Sequence, residues 1–434
     1  MERVEPGVRR RAGDRRAARP RRRQRDGVGP SPPSEDRSRS LQSRMPITIR
    51  SIETAVPPTV LRQDEIRDVF AGQPDLNRLG GRLVRAAFDV SGIETRHTVV
   101  DELDHASAGL PRTDSEPPVF YDSASGEILS PSTGTRNDVY TDRSPALFLA
   151  AARTALDAVP DLDADDVTHV VTVSCTGFFA PGPDYAIVRG LGLRPSTQRY
   201  HLGFMGCYGA FPALRAARSF CLAEPDAVVL VVCVELCSLH LASSNDPDTI
   251  VASSVFADGA AAAVVTARPA PAGEAVLDLD AFETVLTPVG EKDMAWTIGD
   301  HGFEMVLSRY VPHIIEEHIA GALAPLLASV PGLADQPYGS IPRWAIHPGG
   351  RSILDKVQST LDLSDDQLDP SRETLRTYGN MSSATILFVL RHVLHDQDPG
   401  AGGERVCAMA FGPGLTVETA LLTHRVVDES EDGE

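Results

Sequence analysis

No stretch of this 434-residue sequence is apolar for long enough to cross a bilayer. The longest run, Val228–Val234, falls far below the roughly 20 residues a transmembrane helix requires. No secretory signal pattern is visible, so the expected location is cytoplasmic. The six cysteines, Cys175, Cys207, Cys221, Cys233, Cys237 and Cys407, include no Cys-x-x-Cys pair and have no histidines at metal-ligand spacing around them. That argues against a zinc site, and a disulfide framework is not expected in a large cytoplasmic chain. Neither G-x-G-x-x-G nor G-x-x-x-x-G-K-[ST] occurs, so the dinucleotide and P-loop signatures are absent too.

What is present is ordinary in bulk and uneven in charge. Apolar residues make up 42% and charged residues 23%, the balance of a globular protein. The net charge is -19. Residues 1–44 hold 14 Arg, no Lys and 6 acidic residues, leaving about -27 on the rest. A body this acidic does not suit nucleic acid. The Arg-rich head reads as a nucleic-acid or membrane arm, as a transit peptide, or as a disordered or misassigned extension ahead of Met45; the last is the expectation. Length alone allows two to three domains, or one large two-lobed enzyme.

From Met45 onward the pattern is α/β. A strand is expected at Ile47–Glu53, then a polar helix-like run to Phe88. Residues 101–143 are rich in Asp, Ser, Thr, Gly and Pro and read as a long loop or insertion. A helix follows at Ala146–Ala158. Strand-like runs stand at His169–Val173, Ala227–Val234, Asp258–Thr266, Trp344–Ile346 and Val406–Ala410. Helical stretches lie between or beside them at Asp184–Leu191, Cys207–Ala223, Met305–Ala324, Ile353–Leu361 and Ser382–Leu394. Alternating strands and helices imply mainly parallel central strands. The two halves match roughly, which points to a duplicated architecture divided at residues 267–276 into 45–270 and 271–434.

Three residues carry the candidate chemistry. Cys207 stands in Gly-Phe-Met-Gly-Cys-Tyr-Gly-Ala, with an amphipathic helix directly after it. A glycine-flanked strand-to-helix turn exposes a sulfur at a helix N-terminus, where backbone N–H groups favour the thiolate that attacks thioesters. The alternative is a buried structural thiol, the reading kept for the other five cysteines. His347 ends the apolar run Trp-Ala-Ile-His-Pro-Gly-Gly. Ligands bind beyond strand ends in α/β sheets, though a hydrogen-bonded structural His fits equally. Asn380, in Tyr-Gly-Asn-Met-Ser-Ser-Ala, reads by itself as a helix N-cap. Phe411-Gly412-Pro413-Gly414 reads as a plain turn, or as one that brings backbone close to a ligand or walls a cavity.

In this order, GCYGA, FADGAAA, IHPGG, YGNMSSA and AFGPG resemble the type III polyketide synthases, the chalcone-synthase-like family of the thiolase superfamily. The resemblance runs from about residue 46 to 425. It implies the thiolase fold, a duplicated αβαβα architecture, and acyltransferase activity. It assigns Cys207 as the acyl-carrying nucleophile, paired with His347 as thiolate and imidazolium. His347 and Asn380 would donate hydrogen bonds to the malonyl-CoA thioester oxygen as CO₂ leaves. Acyl-CoA and malonyl-CoA are the implied partners, a homodimer the implied assembly, and no cofactor is needed beyond the CoA thioesters themselves.

The resemblance also places a cavity lining at Cys175, Thr176, Phe256, Gly412, Pro413 and Gly414. Plant members guard the cavity with two bulky Phe residues; counting along the motifs puts Leu239 and Met305 there. Such smaller, flexible linings suit an aliphatic chain, which gains about 0.8 kcal/mol per buried CH₂. The runs ELCSLH and WTIGDHGFEM resemble bacterial alkylpyrone and alkylresorcinol synthases. Arg96 is a candidate CoA contact by position, against a plain solvated surface Arg. The rival reading is a β-ketoacyl-acyl-carrier-protein synthase III, which condenses once.

Overall fold

The computed structural model describes residues 46–104, 117–395, 399 and 403–428. The chain separates into residues 1–44 and 45–434; the Arg-rich head lies outside the described residues. In the larger unit, β1 (Thr48–Ala55) and β2 (Thr59–Arg62) lead into α1 (Gln63–Ala71) and α2 (Arg78–Asp89). Then come β3 (Thr95–Thr98), a small hairpin of β4 (Tyr121–Asp122) and β5 (Glu127–Ile128), and α3 (Thr133–Asp157). The first half continues with β6 (His169–Ser174), α4 (Pro183–Leu191), β7 (Gln198–Gly203), α5 (Ala210–Ala223), β8 (Val228–Leu236), α6 (Pro247–Val255) and β9 (Asp258–Thr266). The second half holds β10 (Ala275–Leu286), the hairpin β11 (Met294–Gly299) and β12 (Gly302–Leu307), and α7 (Val311–Ala328). It ends with β13 (Arg343–Ile346), α8 (Arg351–Leu361), α9 (Asp365–Tyr378), α10 (Thr385–Leu394), β14 (Glu404–Gly412) and β15 (Thr416–Val426). Among the described residues no helix is long and apolar enough to cross a membrane.

Nine strands form one sheet in the order β13-β14-β15-β10-β1-β9-β8-β6-β7. The pairs β6–β7, β6–β8 and β13–β14 are parallel, and helices cross over between them. The remaining ladders, including the seam from β9 through β1 to β10 and β15, are antiparallel.

Alternation along the central strands explains the layers. In β8, Val229, Val231 and Cys233 face a core shared with α5 and α10, while Val228, Leu230, Val232 and Val234 face α3. In β14, Val406, Ala408 and Ala410 face that same α5–α10 core, while Cys407, Met409 and Phe411 face α7 and α8. Helices therefore cover both faces of each half, and α5 and α10 fill the middle: an αβαβα stack. A strand buried on both faces reads as a continuous apolar run, which is why β8 and β9 stand out in the sequence. Each such buried Val or Leu contributes about 1.5–3 kcal/mol.

Three expectations need correction. The helix-like run to Phe88 is strand β2 and two helices, separated where Asn77 caps α2 by accepting from Leu79 and Gly80. The loop over 101–143 ends early, because α3 begins at Thr133 on a Ser132 cap. Its first turns bury Arg136, Tyr140 and Ser144, so polar residues occupy the core-facing positions and hide the apolar period. Residues 105–116 of that segment lie outside the described residues. Finally, Met305 is not in a helix: it belongs to β12, and α7 starts only at Val311.

Candidate active site

Cys207 occupies a single 3-10 turn, Gly206–Tyr208, between β7 and α5. Gly206 has φ +73°, and a Cβ there would sit 2.3 Å from Pro413 Cδ. Only glycine lets the turn close against the Gly412–Gly414 loop. Phe204, two residues earlier in the approach, also has positive φ at 58°, a backbone strain of the kind that gathers at functional sites. Cys207 thus stands one turn ahead of α5 rather than within it, still at the positive end of the helix.

His347 follows β13 directly. Its backbone N donates to the Met409 carbonyl at 2.8 Å, which ties it to β14. The ring is buried, yet neither Nδ1 nor Nε2 has a hydrogen-bond partner among the described residues. Both ring nitrogens remain available to a substrate, which the plain structural reading of this histidine would not leave. Asn380 just precedes the N-caps Met381 and Ala384 of the 3-10 turn and helix that follow. Its Oδ1 accepts from Ser382 N at 2.9 Å, and this orients the amide so that Nδ2 donates to the Gly349 carbonyl at 3.3 Å. Gly349 lies two residues beyond His347.

Cys207, His347 and Asn380 all line one cavity. Burial pushes the Cys207 thiol up to about 11, against the pull of hydrogen bonds with Ser382 and Asn380. Burial also lowers His347 to about 3. Both directions favour a neutral thiol beside a neutral imidazole in the closed cavity, where the sequence led us to expect thiolate and imidazolium. Moving the thiol proton to His347 creates both charges together, and their attraction offsets part of the desolvation.

Of the expected lining residues, Cys175, Thr176, Phe256, Met305 and Pro413 face the cavity. Leu239 does not: it is wholly buried in the α3 core, and its carbonyl accepts from Arg136. Gly412 and Gly414 do not line it either. Gly412 packs under the Tyr208 ring, and Gly414 turns the chain at φ +72°. Arg96 is 1% exposed and donates to two backbone carbonyls, so it is neither a surface residue nor one at a tunnel mouth.

Other wall residues were not foreseen. Met294 and Trp296 on β11, and Leu307 on β12, join Met305 on one face of the hairpin, with Met294 opposite Leu307 and Trp296 opposite Met305. Trp296 Nε1 donates to the Cys175 carbonyl at 2.7 Å. Behind this wall lies the fully buried Glu235 on β8. It accepts from Cys175 N at 2.9 Å, Thr176 Oγ1 at 2.9 Å and the Ser383 hydroxyl. Cys175 Sγ lies 3.2 Å from Glu235 Oε1 and 3.3 Å from Ser382 Oγ, so a polar relay runs from the cavity to that carboxyl. Burial raises the Glu235 carboxyl above its ordinary range. An acid inside the apolar run VVLVVCVEL was the available signal.

The open volume of the cavity is about 30 Å³, room for a few water-sized groups. It adjoins a wider cleft of about 340 Å³, with Leu307, Gly349 and Ile353 in the shared wall. Arg309, His313, Arg351 and Lys356 line that cleft with no acidic side chain among the described lining residues, while Glu316 beside it pairs with His313 and Lys356 and Asp355 with Arg351.

Residues 34–269 match the chalcone and stilbene synthases, N-terminal domain, and residues 278–426 match the C-terminal domain. Bisdemethoxycurcumin synthase of Oryza sativa subsp. japonica is 30% identical over 383 residues, covering 86% of this chain and 91% of that protein. Probable polyketide synthase 1 of Dictyostelium discoideum is 28% identical, but the chain spans only 11% of its length. Among solved structures, PKS-I of the brown alga Ectocarpus siliculosus aligns at TM-score 0.79 and 29% identity, over 88% of this chain and all of that one. The bacterial 1,3,6,8-tetrahydroxynaphthalene synthase of Streptomyces coelicolor A3(2) aligns at 0.72 and 28%, with the same coverage. With both family domains matched in order, and a cysteine, a histidine and an asparagine gathered around one cavity, the chain belongs to the chalcone and stilbene synthase family and is a type III polyketide synthase.

Proposed function

We propose that the enzyme loads a long-chain fatty acyl-CoA, extends it with two or three malonyl-CoA units, and cyclises the product to an alkylpyrone or alkylresorcinol. The observation that carries this reading is the cavity wall. Met294, Met305, Leu307, Ile353 and Phe411 surround the nucleophile with almost entirely apolar surface. The closed cavity is too small for a chain, so occupancy requires side chains to move. The two methionines, with three rotatable bonds each, suit that demand.

The chemistry follows from the three polar residues. The Cys207 thiol gives its proton to His347 and its sulfur attacks the starter carbonyl; CoA leaves as a thiol, taking the proton back. Malonyl-CoA then loses CO₂, and negative charge develops on its thioester oxygen. An N–H of His347 and Nδ2 of Asn380 stabilise that charge. The enolate carbon attacks the acyl-Cys207 carbonyl, forming a carbon–carbon bond and releasing the sulfur. The lengthened chain returns to Cys207. No metal, flavin or nicotinamide enters these steps.

Arg309, Arg351 and Lys356 at the mouth of the wider cleft suit the CoA phosphates, the place first given to Arg96. A second copy of the chain suits the β7 edge. Among the described residues β7 pairs with β6 alone, and Tyr185, Phe178, Tyr200 and Phe204 are exposed on β7 and the segments that flank it. Unpaired edges and apolar surface of this kind are normally covered. We place the enzyme in the cytoplasm. A panel of acyl-CoA starters with malonyl-CoA, read by mass spectrometry, tests the proposal. Triketide or tetraketide pyrones and resorcinols from long-chain starters are expected; turnover of malonyl-CoA alone, or of aromatic starters alone, overturns it.

A further inference from the structure

The strand β3 is short, but it holds the segment that delivers Asn380. Glu94, just before it, donates its backbone N to the Arg376 carbonyl at 2.8 Å, and Thr95 Oγ1 donates to the Thr377 carbonyl at 2.7 Å. Arg96 comes next. Its stem lies against Gly379, where a Cβ would come within 3.0 Å of Arg96 Cγ. Its guanidinium donates through Nη1 to the carbonyls of Ser253 at 2.9 Å and Phe256 at 2.7 Å. These carbonyls sit at the end of α6, where helix carbonyls lack partners and the helix dipole is negative.

Asn380 is clipped into the same place. Its backbone N donates to Val255 O at 2.8 Å, and its carbonyl accepts from Ala257 N at 2.9 Å. Asn380 and Phe256 therefore form an isolated parallel bridge. One guanidinium holds the Phe256 peptide, and that peptide holds the asparagine. A buried cation is costly unless it is bonded. Arg96 has Asp258 acting on it through space, and its Nε and Nη2 have no hydrogen-bond partner among the described residues. Its fixed bonds go to this junction between the two halves of the chain.

We propose that Arg96 is a positioning residue that sets the Asn380 amide at the thioester oxygen of malonyl-CoA and acts on decarboxylation through Asn380 rather than on starter loading. This rests on the reading of Asn380 given above. A donor to a developing oxyanion must be placed to a fraction of an ångström, and a misplacement near 1 Å costs about 10²-fold in rate.

Arg96→Met keeps the stem and removes the donors; Arg96→Lys restores one cationic donor. Three quantities are measured on each full-length variant: malonyl-CoA decarboxylation, single-turnover acylation of Cys207 by labelled starter, and amide exchange at Ala257 and Asn380. For Arg96→Met we expect kcat for decarboxylation to fall about 10²-fold. KM and Cys207 acylation should change little, and both amides should exchange faster. Arg96→Lys should lie between, and decides on the same readouts if the Met variant does not fold. A rise in KM with kcat retained would make Arg96 a CoA contact. Equal loss of acylation and decarboxylation would make it a general structural residue. Either result, or unchanged exchange at both amides, overturns the proposal. A wild-type enzyme that does not decarboxylate malonyl-CoA refutes the proposed reaction, and amide exchange alone then decides the positioning role.

Discussion

Replacing Gly206 with alanine tests how the nucleophile is held. The residue before Cys207 has φ +73°, and the added methyl would stand 2.3 Å from Pro413 Cδ and 2.8 Å from Cγ. Left-handed backbone costs a residue with a Cβ about 1–2 kcal/mol. Overpacking a filled contact costs about 1–3 kcal/mol. Together these give about 2–5 kcal/mol, a large part of a total stability of about 5–15 kcal/mol. Restoring a carbon–carbon contact of about 3.5 Å needs a shift of more than 1 Å in either Cys207 or Pro413. Such a shift costs about 10²-fold in acylation rate. Urea unfolding and single-turnover labelling of Cys207 read the two effects separately. A second variant, Gly206→Ala with Pro413→Gly, removes the clash but not the strained φ. With Pro413→Gly alone completing the cycle, the coupling should be about 1–3 kcal/mol. A Gly206→Ala enzyme that labels at the wild-type rate, with unfolding within about 1 kcal/mol of wild type, refutes this account of the turn.

Asn380→Ala should lower malonyl-CoA decarboxylation about 10²–10³-fold and leave starter labelling of Cys207 in place; parallel loss of both steps would count against its assignment. Asp258 is buried and its carboxyl is raised to about 6, despite bonds from Ser238 and Val99. A raised folded value means the native state keeps the proton that the unfolded chain has already lost, so this contribution to stability falls as pH rises from about 4 to 6. The wild-type unfolding free energy minus that of Asp258→Asn should therefore drop by about 3 kcal/mol across that window and stay level above it; a difference that does not vary with pH refutes it. The proposed dimer through the β7 edge predicts a dimer mass for the wild type and a monomer mass for Tyr200→Asp in light scattering; an equal mass for both would discard that edge as the contact surface.

Of the candidate residues only Cys207 was marked locally, by the glycines that bracket it; His347 and Asn380 became candidates through the order of all five motifs. The layers were legible from local pattern, since β8 and β9 are buried on both faces. The cavity wall was not. Met294–Leu307 gives no clean alternation, because its apolar face meets a cavity and not the main core, and Met305 read as part of the helix that follows. Motif counting misplaced Leu239, where packing against α3 and not the active site sets the residue. Arg96 was misread since an isolated arginine in a polar stretch looks solvated; only the fold reveals the carbonyls it meets.

One feature of the sheet bears on how the chain is made. β1 is the first strand among the described residues, yet both of its neighbours come much later in the chain. Thr48 stands opposite Thr266 on β9 and Asp278 on β10, and β10 is itself paired along its length to β15, the last strand. During synthesis β1 must wait, without either strand neighbour, for more than two hundred residues to follow. Early chain release, or a pause before residue 266, would leave that edge open to other chains. Binding of a chaperone to nascent chains should therefore end only once β9 has cleared the ribosome.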